Sequence, residues 1–361
     1  MFFLFLSSTM KFISYENLVL AYKNASKSRK NKKEVHEFNK NIEKNLLDIL
    51  HDLQQRTYKP YPCKKFILSD SKKRYIHSPC FRDHIVHHMI YNIVYDVLDK
   101  RIVENSFATR KEKWLHKWMQ YVTAKLDKYR WLQDTLYYMK IDVSKYFYSI
   151  SHKLLKQKIF AYIHNPDLQY VITMVIDSYI TSSLFDHLFD PVSPYRMEPK
   201  KWVPIWALYS QLFANFFLYD IDRYIVQHSK PLLYVRYMDD FIFIDTKENL
   251  LQLKGTVISL LHNNWLFVVP WKIQMNTMKH GMNLLWFRVH INADKLRLQV
   301  SKSNKKKYWK CVDNIYQLDA NIFDNKDRER IQSVLASRKW LFTHTGSYEK
   351  YIIGVLFGIE K

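Results

Sequence analysis

One stretch limits the possible folds of this chain more than any other: Tyr234-Val-Arg-Tyr-Met-Asp-Asp-Phe-Ile-Phe-Ile244. Runs of β-branched and aromatic residues flank Met238-Asp239-Asp240, the pattern of a β-hairpin with two acids at its turn. Paired acids on their own are common in solvated turns. Between two strands they repel each other unless a cation lies between them, so they imply a metal ion or a raised pKa. A second β-rich run, Tyr137–Val143, brings Asp142 to the end of another strand. Two strands presenting acids at one edge could hold two Mg2+ ions about 3.5–4 Å apart, which activates a hydroxyl nucleophile and steadies a leaving pyrophosphate.

The rest of the chain is a basic, helix-rich setting for that hairpin. Lys and Arg number 56 against 34 Asp and Glu, a formal net charge of +22. An excess of this size in a globular chain points to a polyanionic partner, most often nucleic acid. Hydrophobic residues at 48% and charged residues at 25% exclude a disordered chain. Cys63, Cys80 and Cys311 are too few for a disulfide framework or a zinc cluster and fit a reducing compartment. No apolar run reaches membrane-spanning length. Met1–Leu6 is too short for a signal-peptide core and reads as an upstream extension, with Met10 as the start. Helical spacing follows at Ile13–Ala21, through residues 34–56, over Arg82–Lys100 and over Ala207–Gln227. Lys65–Ser69 reads as a strand after the break at Tyr58-Lys-Pro-Tyr-Pro62. Lys23, Lys27, Arg29, Lys30, Lys32 and Lys33 form a basic patch, either a solvated face or a phosphate contact.

Tyr237-Met238-Asp239-Asp240, with the upstream Lys140-Ile-Asp-Val-Ser-Lys-Tyr-Phe147, resembles the catalytic motifs of reverse transcriptases, and the resemblance covers residues 11–350. It implies an α+β right-hand polymerase with an antiparallel palm sheet, helix-rich fingers and a helical thumb. The division would be fingers 10–135, palm 136–300 and thumb 301–361. The implied activity is RNA-directed DNA polymerisation, a nucleotidyl transfer. It would use two Mg2+ ions, or Mn2+ in their place, with deoxynucleoside triphosphates (dNTPs) as substrates. Asp142 and Asp239 would bridge both ions, Asp240 would be more peripheral, and Val143 would border the metal site. Phe147 would stack under the sugar as a steric gate. Lys73 and Arg74 would grip the triphosphate, with Ile205, Trp206, Gln211 and Lys272 around the nucleotide. Arg82, and Arg110, Lys111 and Lys113 in Ser106-Phe-Ala-Thr-Arg-Lys-Glu-Lys-Trp-Leu-His116, would follow the template and primer, while Leu285 and Trp286 would border the primer end. His84, His87 and His88 would pack helices rather than bind metal.

The segment Val203-Pro-Ile-Trp-Ala-Leu-Tyr-Ser-Gln-Leu-Phe-Ala-Asn215 narrows the branch. Most reverse transcriptases carry Gln-Gly-x-x-x-Ser-Pro here. The enzymes of diversity-generating retroelements resemble this chain more closely, with an aliphatic residue for the Gln and Ser-Gln for Ser-Pro, matching Ile205 and Ser210-Gln211. An aliphatic chain removes a polar contact from the nucleotide pocket and the discrimination that rests on it. The implied behaviour is error-prone copying at template adenines during mutagenic retrohoming. The implied partners are a template RNA, an RNA–cDNA hybrid and a small basic accessory protein, with no membrane. The implied location is the cytoplasm, encoded by a bacterium, phage or plasmid. A defence- or retron-type enzyme is the alternative within the class, and a catalytically impaired RNA-binding relative is the alternative outside it.

Glycine is scarce and tryptophan abundant, 5 against 10. Trp114, Trp206 and Trp286 stand where the family has glycine, and Trp202, Trp265, Trp271 and Trp340 fall where glycine is natural. Such uniform replacement is explained if the source reads UGA as glycine and the sequence was translated with tryptophan there. A degenerate relative with genuine tryptophans explains the losses but not their uniformity.

Overall fold

The structure, a computed structural model, describes residues 11–27, 29–69, 73–113, 115–179, 200, 203–204, 207–285, 287–291, 296–302, 304–306 and 310. Ile205, Trp206, Trp114, Trp202, Trp286, Met10 and the thumb beyond 310 therefore lie outside the described residues. The chain divides into two compact units. One draws on Met1–Met119, Met139–Phe243 and Glu248–Gln274, the other on Gln120–Tyr138, Ile244–Lys247 and Met275–Lys361.

In the first unit the chain opens with helices α1 (Tyr15–Ser26), α2 (Lys33–Asn39) and α3 (Ile42–Gln54). Ser14 caps α1 by accepting the Asn17 N–H. Buried Asn17 donates to the carbonyls of Phe12 (2.9 Å) and Met89 (3.2 Å) and accepts from Asn92 (2.9 Å), which pins α1 onto the later helix α4 (Phe81–Asp99). Residues 34–56, expected as one helical stretch, form two helices, and Asn45 closes the corner between them by donating to the Phe38 carbonyl at 2.8 Å. Strands β1 (Lys64–Ser69) and β2 (Lys73–Ser78) form an antiparallel hairpin, with Lys64 opposite Ser78 and Ser69 opposite Lys73. Helix α4 buries Ile85, Val86, Met89, Ile90, Val94 and Leu98. The histidine run lies on it as packing. Burial pushes His84 down to about 3, His88 to about 4 and His87 well below the ordinary value, with like charges nearby adding to the effect. The His87 ring meets Tyr209 edge-on at 4.7 Å.

Helix α5 (Leu115–Asp127) leads to strand β3 (Tyr137–Asp142). After it come α6 (Tyr146–Ser149), α7 (His152–Phe160) and α8 (Pro166–Asp177). The apolar stretch 207–227, expected as one helix, breaks at Leu218 into α9 (Leu208–Phe217) and α10 (Tyr219–Tyr224), and a π-helical turn, Ile225–Ser229, follows. Strands β4 (Leu233–Tyr237) and β5 (Asp240–Asp245) precede the long α11 (Lys247–Asn263). With β6 (Gln274–Thr277) they form a four-stranded sheet of order β4-β5-β3-β6. Only Met238 and Asp239 separate β4 from β5, so these two neighbours run antiparallel.

The end of α11 is unusual in its residue. Trp265 donates to the His262 carbonyl (2.8 Å) and Leu266 to the Leu261 carbonyl (2.9 Å), while Trp265 itself has φ +57°. This is a Schellman helix end, and its left-handed position normally holds glycine, because a Cβ there crowds the backbone.

In the second unit β7 (Met282–Leu284), β8 (Phe287–Ile291) and β9 (Leu296–Val300) form an antiparallel sheet. Phe287, Val289 and Ile291 are buried on alternate positions, and Phe287 stands opposite Val300. Gly281 precedes it at φ +73°, where an added Cβ would come within 2.6 Å of the His290 ring. Among the described residues no helix is long and apolar enough to cross a membrane.

Candidate active site

The β4–β5 hairpin is buried almost throughout. Val235, Phe241, Ile242, Phe243 and Ile244 have at most 1% exposure, and Tyr234 stacks on Phe243 at 5.1 Å. Only the turn end emerges, where Tyr237, Met238, Asp239 and Asp240 are half-buried. Strand β3 alternates from Tyr138 onward. Met139 and Ile141 go into the core, which leaves Lys140 and Asp142 together on the other face. The tip of β3 is tied to the turn, because the Val143 N–H donates to the Asp239 carbonyl at 3.3 Å.

Lys140, Asp142, Asp239 and Asp240 line one cleft of 590 Å3, together with Trp271, Lys272 and Gln274. Burial pushes the Asp239 carboxyl up to about 7, and the neighbouring Asp240 and Asp142 add to it. A backbone hydrogen bond and the Arg236 guanidinium pull the other way. Lys140 is lowered by burial, against the pull of Asp240. Trp271 and Lys272 lie on a 3-10 turn that begins at Pro270, and Trp271 is 85% exposed.

Carboxylate oxygens are hard donors suited to Mg2+. Among the described residues no three His, Cys, Asp or Glu close into a ready cage for a metal. Mg2+ is commonly held by one or two carboxylates plus substrate phosphates. A cation between the carboxylates would relieve the repulsion at Asp239, so these residues fit the ion.

A buried network stands behind the turn. Arg236, fully buried, donates through Nε and Nη2 to the two carboxylate oxygens of Asp222 at 2.7 and 2.5 Å. It also reaches the Asn215 side chain (2.9 Å), the Asn215 carbonyl (3.0 Å) and the Met238 carbonyl (2.7 Å). Asn215 in turn donates to the Ala108 carbonyl at 2.9 Å and accepts from Ser106 at 2.8 Å. Tyr234 donates to Asp222 at 2.5 Å.

The other expected site residues scatter. Lys73 and Arg74 open β2. Phe147 lies half-buried on α6, its carbonyl accepting from Val203 at 2.9 Å, and Gln211 is exposed on α9. Leu285 follows β7 with φ +48°. Arg82 and Arg110 were expected along the template and primer, but their guanidinium groups are engaged within the protein. Arg82 pairs with Asp52 (2.6 Å) and Asp83 (3.2 Å) and lies over the Tyr58 and Tyr61 rings. Arg110 pairs with Asp99 at 2.6 Å and donates to the Val103 and Ser106 carbonyls. Lys111 lies over Tyr95, and Lys113 donates to the Glu104 carbonyl at 2.5 Å. Sequence reasoning passed over Lys140, Gln274 and Arg236 as site residues. The first was within reach, since a strand's period of two places it on the face of Asp142.

A short antiparallel hairpin with acids at its turn, beside a strand that carries a third, belongs to the palm of a right-hand polymerase. The chain belongs to the reverse transcriptase (RNA-dependent DNA polymerase) family, whose model matches residues 63–308. That family consists of nucleotidyltransferases. Comparison with curated proteins gives no match. Among solved structures, the apo telomerase of Candida tropicalis is similar at a TM-score of 0.51 and 14% identity, over 81% of this chain and 59% of that one. The telomerase of Candida albicans in complex with a fragment of telomeric RNA is similar at 0.49 and 15%, over 84% and 60%. The chain thus spans about 60% of the length of these telomerases, and the likeness is one of fold.

Proposed function

We propose that this chain extends a DNA primer on an RNA template, with Asp142, Asp239 and Asp240 holding two Mg2+ ions. The observation that supports this most is the shared cleft, in which burial and two neighbouring carboxylates hold the Asp239 carboxyl up to about 7. When bound, the ions supply Lewis-acid stabilisation of the charge that develops on the attacking and leaving oxygens. Asp142 and Asp239 would hold the ions, Asp240 would contribute from the periphery and Val143 would border the site. Lys272 and Lys140 bring positive charge to the triphosphate, joined by Lys73 and Arg74 of β2. Phe147 excludes a 2′-hydroxyl by filling the space under the sugar. The acid constellation is intact, which favours an active enzyme over an impaired RNA-binding relative. The test is primer extension with dNTPs on an RNA template. Asp239→Asn should abolish incorporation, and a variant that polymerises normally refutes the assignment.

The finer reading is that the enzyme serves a diversity-generating retroelement, together with a template RNA and a small basic accessory protein. It is supported by Ile205 and Ser210-Gln211. Ile205→Gln should then lower misincorporation opposite template adenine. An unchanged error spectrum leaves the defence- or retron-type reading in its place.

A further inference from the structure

We infer that Arg236 is a positioning residue that presets the Met238–Asp239 turn, and with it the aim of the Asp239 carboxylate into the cleft. The inference rests on the polymerase reading only for its kinetic consequence. Met238 has φ +58°, in the left-handed region, yet it is not glycine. A residue in that conformation persists only where its surroundings over-determine it. Here two hydrogen bonds hold the connection. One is from Arg236 Nη1 to the Met238 carbonyl at 2.7 Å, and the other is from the Val143 N–H to the Asp239 carbonyl at 3.3 Å.

The chemistry of arginine explains why it occupies this position. Its planar fork binds the Asp222 carboxylate through two nitrogens and still has a donor left over. That donor, Nη1, is shared between Asn215 Oδ1 (2.9 Å) and the Met238 carbonyl. Lysine, a point charge on a flexible stem, cannot hold both Asp222 oxygens and the turn at once. Stability alone does not require the pair, since buried ion pairs can often be replaced by apolar residues without loss. An apolar residue, however, has no donor for the Met238 carbonyl. Asn215 extends the brace to α9, Ala108 and Ser106, so the turn is referenced to several elements of one compact unit.

The test uses the full chain with the double variant Arg236→Met/Asp222→Asn. It leaves no buried charge unpaired and keeps an acceptor for the Tyr234 hydroxyl. Arg236→Lys serves as a second variant should the first fail to fold. Amide hydrogen exchange is measured without metal, and primer extension is resolved into kcat, the KM for dNTP and template–primer affinity. Exchange should quicken at Met238–Asp240 while the rest of β4 and β5 stays protected. The kcat should fall about 100-fold, as expected for a displaced catalytic group, and template–primer affinity should hold. Unchanged exchange at the turn in a folded variant, or an unchanged kcat, overturns the inference. If the native chain itself extends no primer, the polymerase reading fails, and the exchange result still decides whether Arg236 holds the turn.

Discussion

Asp239→Asn should make the metal-free chain more stable while it removes activity. In the folded chain the Asp239 carboxyl is pushed from an ordinary value of 3.8 up to about 7, by burial first and then by Asp240 and Asp142. An acid raised in this way holds its proton in the folded state between about pH 4 and pH 7, where the unfolded chain has lost it. Stability contributed by that proton is therefore lost as pH rises through this window. The full shift corresponds to at most ~4 kcal/mol at about 1.4 kcal/mol per pH unit. Solvent reaches the half-buried side chain and the repulsion is shared among three carboxylates, so about 1–2 kcal/mol is the expected share of this one group. For a chain of 361 residues that is a rise of roughly 1–3 °C in Tm. The assay is thermal unfolding of both proteins in chelator at pH 8 and pH 5, then at pH 8 with Mg2+. The variant should lead at pH 8, the gap should narrow at pH 5 and close only as pH falls to about 4, and Mg2+ should stabilise the native chain more than the variant. A variant no more stable than the native chain at pH 8 in chelator would refute the idea that these carboxylates repel across one cleft.

Three further outcomes follow from other parts of the molecule. Because burial depresses His84, His87 and His88, stability should fall as pH drops below about 6.5. His87→Phe should flatten that acid limb in a pH series of unfolding curves, and an unaltered limb would exclude the histidines as its source. Trp265→Gly should leave stability unchanged or raise it by up to ~1 kcal/mol. Relief of left-handed strain, about 1–2 kcal/mol, outweighs the roughly 0.5–1 kcal/mol of extra chain entropy. A loss above ~2 kcal/mol would mark the indole as a genuine packing residue, and a UGG codon at Trp114, Trp206 and Trp286 would end the recoding argument. Template–primer binding should weaken linearly in log–log salt titrations, since phosphate contacts release counterions, and a flat titration would deny the basic excess its role.

The acids were legible because chemistry forces them into a recognisable local pattern, two carboxylates in a turn between two apolar strands. Helix α4 and strands β3, β4 and β5 were legible for a related reason, since each carries its own periodicity. The boundaries at Lys40 and Leu218 were not, because apolar spacing continues across both breaks and tertiary contacts such as Asn45 to Phe38 decide where the chain turns. Strands β8 and β9 alternate apolar and polar residues, the period-two signal of a strand, and were within reach of the sequence, whereas β6 and β7 span only four and three residues, too short for a period to show. Arg82 and Arg110 came from the resemblance alone, and their ion pairs with Asp52 and Asp99 could not be read from the sequence, because those partners lie on other elements of the fold. Arg236 could not have been singled out from sequence, because its partners Asn215 and Asp222 are brought to it by a separate helix pair.

The left-handed tryptophan at the end of α11 bears on how far such a gene could travel. If its codon and that of Trp114 are UGA, a host that reads UGA as a stop would release the nascent chain at Lys113. None of the three aspartates would yet have been made. The gene would then yield no polymerase in any cell with the standard code and would be confined to lineages that share its own decoding. Translation itself would then act as a quarantine, set by the same triplet that supplies the backbone freedom of a helix end.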